Sequence, residues 1–116
     1  TVMHSFPASM SSLARRCENN PGRVERWELF IGGMEIANAY SELTDYHDQL
    51  QRFDASRRLR EAAGRDVYPV DQEYLQILQD GFPPCGGIAF GVDRFLMLLT
   101  NQPTIQDVVL FANDLQ

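Results

Sequence analysis

Apolar and polar residues alternate along RVERWELFI (residues 23–31), which places Trp27, Leu29 and Ile31 on one face of a strand and Arg26, Glu28 and Phe30 on the other. Gly32-Gly33 supplies the two-residue composition that closes a hairpin, and MEIANAYSEL (34–43) predicts the returning strand. The period then lengthens to that of a helix. Thr44 or Asp45 caps a predicted helix running to about Ala63, with Tyr46, Leu50, Phe53 and Arg57 along one side and Gly64 at its end. Asp71 caps a second helix over QEYLQILQ, stopped by Gly81 and Pro83-Pro84. GGIAF predicts a third strand and leads into a helix from about Val92 to Leu99. Ahead of the hairpin, a short helix is expected at Ser11–Cys17 and a turn at Asn19-Asn20-Pro21-Gly22. Thr104 caps a last short helix before VVLF (108–111). A hairpin and a third strand with helices between them make an α+β fold.

The 116 residues amount to one domain with a modest core, and hydrophobic content of 44% with 22% charged residues is ordinary for a globular protein. No apolar run approaches the length that spans a bilayer, and TVMHSFPAS lacks a basic region followed by an apolar block. The expectation is therefore a cytoplasmic protein with no signal peptide and no membrane segment. Cys17 and Cys85 have no paired or metal-ligand spacing, which predicts free thiols in a reducing compartment. Charge narrows the picture further. All ten basic residues are arginine and the net charge is −6, a poor footprint for gripping nucleic-acid backbone unaided.

Candidate chemistry begins with three carboxylates at sevenfold spacing, Glu28, Glu35 and Glu42. With a two-residue turn at Gly32-Gly33, regular pairing sets Ile31 against Met34, Phe30 against Glu35 and Glu28 against Ala37. Glu28 and Glu35 then project together as diagonal neighbours. Two such carboxylates repel unless a cation lies between them, and a hard divalent ion sharing a nucleotide's phosphates would satisfy the pair. Strict alternation puts Asn38, Tyr40 and Glu42 on the opposite face; a bulge near Ile36-Ala37 would return them to the side of Glu35. Spacing alone favours a solvated sheet face carrying ordinary glutamates.

Arg94, where the glycine-rich strand turns into a helix, suggests phosphate or carboxylate recognition. Its ordinary alternative is a surface pair with Asp93 or Glu61, worth about 0–1 kcal/mol. His4 and His47 read as surface residues, and Trp27, Phe53 and Phe95 as core. Arg57, Arg58, Arg60 and Arg65 form the wet side of their helix or steer an acidic partner.

GGIAFGVDRFLMLL (86–99) resembles motif 3 of the class II aminoacyl-tRNA synthetases, and WELFIGGMEIANAYSELTD resembles the hairpin before it in the lysyl-tRNA synthetase branch. The similarity runs from about Phe6 to Phe111. It implies that Arg94 contacts the γ-phosphate of ATP and that Glu28 and Glu35 hold Mg²⁺. It further implies that Asn38, Tyr40 and Ala89 shape the amino-acid pocket and that Glu42 pairs with a side-chain ammonium. Gly87 and Gly91 would let an adenylate lie close to the strand.

FPASMSSLA, together with Ala89 at the middle small position of motif 3, resembles the elongation factor P–lysine ligase group of that branch; Met10 stands where that group has glutamine. The implied activity is an ATP-dependent ligase that activates lysine or β-lysine and transfers it to a lysine of elongation factor P. The alternatives are a lysyl-tRNA synthetase acting on tRNA and a non-catalytic synthetase-like module. Motifs 1 and 2 have no counterpart in the sequence. The expectation is that residues 1–116 form the C-terminal part of a class II catalytic domain, inactive alone and homodimeric when whole.

Overall fold

Gly32 and Gly33 carry φ of 58° and 81°, the pair of positive values that a type I′ turn needs and that side chains with a Cβ resist. They close the predicted hairpin between β4 (Arg26–Ile31) and β5 (Met34–Ser41). The computed structural model describes residues 1–111. Before this hairpin come β1 (Val2–His4), a 3₁₀ turn at Ala8–Met10, β2 (Arg16–Cys17) and β3 (Asn20–Val24). After it come α1 (Tyr46–Ala62), α2 (Gln72–Gly81), β6 (Gly86–Phe90), α3 (Val92–Thr100) and a 3₁₀ turn at Ile105–Asp107. β1, β4, β5 and β6 form an antiparallel sheet in the order β1-β4-β5-β6, with β2 and β3 as a separate ribbon. The α+β expectation holds.

The register near the turn is as predicted, with Ile31 opposite Met34 and Phe30 opposite Glu35. It then shifts by one residue. Leu29 pairs with Ala37 and Glu28 with Asn38, so the regular-ladder pairing of Glu28 with Ala37 is not formed. Ile36 is the extra residue of a β-bulge. Its side chain is buried, and its carbonyl accepts a hydrogen bond from the Gly91 backbone at 2.8 Å instead of serving the ladder. This bulge decides what the sheet displays. On one face stand Arg26, Glu28, Phe30, Glu35, Asn38 and Tyr40, with Gly87 and Ala89 of β6 opposite Tyr40 and Asn38. On the other stand Trp27, Leu29, Ala37, Ala39, Ile88 and Phe90. α3 joins the fold through Met97, which is buried, and through Phe95, whose ring meets Phe90 edge-on at 5.4 Å.

Two segments ahead of the hairpin differ from the sequence reading. Ser11–Cys17 is extended, not helical. Ala14 bridges to Glu42, the Arg15 N–H donates to the Ser41 carbonyl at 2.8 Å, and the Leu43 N–H donates to that of Leu13 at 2.8 Å. Pairing with the end of β5 satisfies the backbone and buries Ala14 completely, which outweighs local helix propensity. The turn lies at Glu18-Asn19, because Cys17 pairs with Asn20 and residues 20–22 already belong to β3. Trp27 is not a core residue; 37% of it is exposed on an uncovered part of the sheet.

The helices follow their predicted punctuation. Asp45 accepts from the Asp48 N–H and Asp71 from the Tyr74 N–H, each as a side-chain cap, and Gly64 leaves α1 with φ of 63°. α1 is secured mainly by polar contacts. Its one fully buried residue among those described is Gln49, whose amide donates to the Ser12 carbonyl. Arg52, largely buried, donates to the carbonyls of Ser11 and Ala14 and to Asp48, which Arg16 also grips. The Arg52 hydrogen bond, then that of Arg16, holds the Asp48 carboxyl at about 2 against the opposing effect of burial. A carboxyl depressed in the fold stabilises it above the ordinary carboxylate range and loses that contribution as pH falls through about 2. Cys17 and Cys85 are free thiols. Among the described residues no helix is long and apolar enough to cross a membrane.

Candidate functional site

The bulged strand β5, the edge strand β6 and the first turn of α3 enclose a cleft of about 330 Å³ lined by Glu35, Asn38, Ala89, Gly91, Asp93 and Arg94, among others. Arg94 reaches it because α3 starts where Gly91 is tied to Ile36, so the bulge sets the position of the arginine as well as that of Glu35. Arg94 Nη1 donates to the Glu35 carbonyl at 3.0 Å and stands 3.8 Å from its Oε2. Neither Asp93 nor Glu61 is its partner. Both side chains are well exposed, 52% for Arg94 and 40% for Glu35, so the pair adds only about 0–1 kcal/mol and leaves the guanidinium available to an anion.

Glu28 lies on the same face one strand over, outside the lining of that cleft and more enclosed, with its side chain 13% exposed. Arg26 Nη2 bonds its Oε1 at 2.5 Å. The two sevenfold-spaced carboxylates therefore share a face on adjacent strands, each with an arginine compensating its charge. Two carboxylates and no softer donor suit a hard cation that keeps waters or phosphate oxygens as its other ligands. Among the described residues no three His, Cys, Asp or Glu converge as a closed metal cage.

The other end of the face carries Tyr40 and Glu42. Gly87 lies against Glu42; a Cβ there would sit 3.2 Å from Oε1, so the absent side chain is what makes room for the carboxylate. The Glu42 N–H donates to the Cys85 carbonyl at 3.0 Å, which anchors the strand end to the approach to β6. Burial raises the Tyr40 phenol above its ordinary range; the Glu42 charge adds to this and Arg26 opposes it.

The structure thus brings Glu28, Glu35, Asn38, Tyr40, Glu42, Gly87, Ala89 and Arg94 to one surface, with Gly91 at its rim. Two residues escaped sequence reasoning. Alternation gives Arg26 a face and nothing more. Tyr74 of α2 has its phenol raised by burial first and then by Glu42, Tyr40 and Cys85, which puts it beside the Glu42 end. Its phase with buried Leu75 and Leu78 was the available signal.

Residues 1–115 match the family model described as tRNA synthetases class II (D, K and N). Similar curated proteins include the lysine–tRNA ligases of Prochlorococcus marinus (strain MIT 9303), 47% identical over 111 residues, and of Ectopseudomonas mendocina, 48% identical over 108. That of Moorella thermoacetica is 44% identical over 111 residues. These alignments take in 96%, 93% and 96% of this chain but only 22%, 21% and 23% of the respective relatives. The chain spans about a fifth of the length of the curated relatives it matches.

Proposed function

Because the chain belongs to the class II tRNA synthetases of the D, K and N type, we propose that it supplies the phosphate-tail and amino-acid half of a lysine-activating site. The carrying observation is the bulge at Ile36, which gathers Glu28, Glu35, Asn38 and Tyr40 on one face beside Arg94. Arg94 binds the γ-phosphate of ATP. Glu28 and Glu35 hold Mg²⁺, which when bound offsets phosphate charge. Glu42 pairs with the substrate's side-chain ammonium, with Asn38, Tyr40 and Ala89 around the amino acid, while Gly87 and Gly91 admit the adenylate close to β6.

The lysine carboxylate oxygen attacks the α-phosphorus. An oxygen–phosphorus bond forms, the bridging bond to the β-phosphate breaks, and its electron pair leaves with pyrophosphate. The chain's residues act by positioning and charge compensation, with no covalent enzyme intermediate. Contacts to adenine and to the α-phosphate come from residues outside these 116, in a larger catalytic domain.

For the acceptor, the three relatives described above, each named lysine–tRNA ligase, favour tRNA. The elongation factor P reading retains FPASMSSLA and Ala89, whose methyl stands opposite Asn38 on the site face. Labelled lysine, ATP and Mg²⁺ given to the whole protein with tRNA(Lys) or with elongation factor P separate the two. Label on tRNA is expected. Label on elongation factor P alone overturns the tRNA assignment, and no lysine-dependent pyrophosphate exchange at all overturns the ligase reading.

A further inference from the structure

Arg26 occupies the middle of the site face with its side chain only 20% exposed, and its three nitrogens serve three different segments. Nη2 bonds Glu28 Oε1 of its own strand, Nε donates to Asn38 Oδ1 on β5 at 3.1 Å, and Nη1 donates to the Met10 carbonyl at 3.2 Å. Its guanidinium also lies 4.7 Å from the centre of the Phe6 ring. A guanidinium this enclosed is costly to desolvate unless its donors are met, and only arginine's planar fork meets three acceptors at fixed angles. We infer that Arg26 is a positioning residue that sets which group Asn38 turns toward the cleft and holds Glu28 in place, on the basis of the lysine-activating reading above.

The consequence for Asn38 follows from its own chemistry. Its amide has one acceptor end and one donor end. With Oδ1 committed to Arg26, Nδ2 is the end left for a ligand, and Asn38 lines the cleft. It therefore presents N–H donors suited to a carboxylate or phosphoryl oxygen. Glu28 is treated similarly: Oε1 is engaged, and Oε2 has no hydrogen-bond partner among the described residues. Through Met10 and Phe6 the same side chain ties the FPASM segment to the site, which gives that segment a role beyond covering the sheet.

The test compares Arg26→Lys and Arg26→Met in the whole protein, reading lysine affinity by calorimetry without ATP or metal, and thermal midpoint in parallel. A lysine ammonium keeps the charge near Glu28 and the Phe6 ring but cannot span to Asn38. Arg26→Lys is therefore expected to fold with a near-native midpoint and to bind lysine about tenfold more weakly. Arg26→Met is expected to lose at least as much affinity. Pairing each with Asn38→Ala should add little further loss, because both changes remove one shared contact. An Arg26→Lys protein that binds lysine within twofold of the unaltered protein overturns the inference. So does a loss that is fully additive with Asn38→Ala. Arg94→Ala assayed for pyrophosphate exchange alongside keeps the two readings apart. If the unaltered protein shows no lysine-dependent exchange, the ligase reading falls and takes the Arg26 role with it; if it shows exchange that Arg94→Ala impairs, a silent Arg26→Lys overturns only the positioning role.

Discussion

Replacing Arg94 by alanine is expected to lower lysine-dependent pyrophosphate exchange in the whole protein by two to three orders of magnitude, with the lysine KM little changed. Each charge-assisted hydrogen bond from a guanidinium to a phosphate contributes about 1.5–3 kcal/mol; for a half-exposed guanidinium the lower end of that range applies, and a forked pair lost together then corresponds to about a 10²–10³-fold fall in rate. The resting partner of Arg94 gives no comparable stability. Its contacts to Glu35 are to a carbonyl at 3.0 Å and to a carboxylate oxygen at 3.8 Å, between side chains that are largely exposed. The thermal midpoint should accordingly stay within a degree or two. Activity and midpoint falling together would mean that Arg94 is a structural residue, and retained activity would mean that it meets no phosphate.

Glu42→Gln should act at the other end of the face. The substitution is nearly isosteric, preserves hydrogen bonding and removes one charge. The expected result is a rise of about 10–100-fold in the KM for lysine, with the KM for ATP within threefold and kcat less affected. The location supports this division. Glu42 lies against the glycine at position 87 and near Tyr40 and Tyr74, away from the Arg94 cleft, and its charge helps raise both phenols. A KM for lysine that does not move would remove Glu42 from the amino-acid pocket.

Much of the fold was legible because local chemistry and tertiary context agree where the chain punctuates itself. Gly32-Gly33, the capping residues Asp45 and Asp71 and the small-apolar strand at 86–90 each dictate geometry over a few residues, and each appears where expected. What alternation could not supply was long-range. The bulge at Ile36 depends on a carbonyl accepting from Gly91, 55 positions along the chain, so the sequence could only show that a bulge would reunite Glu35 with Asn38 and Tyr40. Ser11–Cys17 looked helical for the converse reason: its partners are Ser41, Glu42 and Leu43, which local propensity does not see. β1 is three residues long, too short for a period to register. Site residues were legible in kind but not in arrangement. Spacing singled out the glutamates, and the glycine-rich strand before it singled out Arg94, whereas the Arg26 network appears only once β4, β5 and the Met10 turn are placed together.

The central claim is that Glu28, Glu35 and Arg94 serve one metal–nucleotide complex. Crystals of the whole protein grown with Mn²⁺ and a non-hydrolysable ATP analogue, recorded for anomalous scattering, test it most directly. The account predicts an anomalous peak bonded to carboxylate oxygens of both Glu28 and Glu35, with the γ-phosphate on Arg94. A peak elsewhere, with the γ-phosphate remote from Arg94, would contradict it.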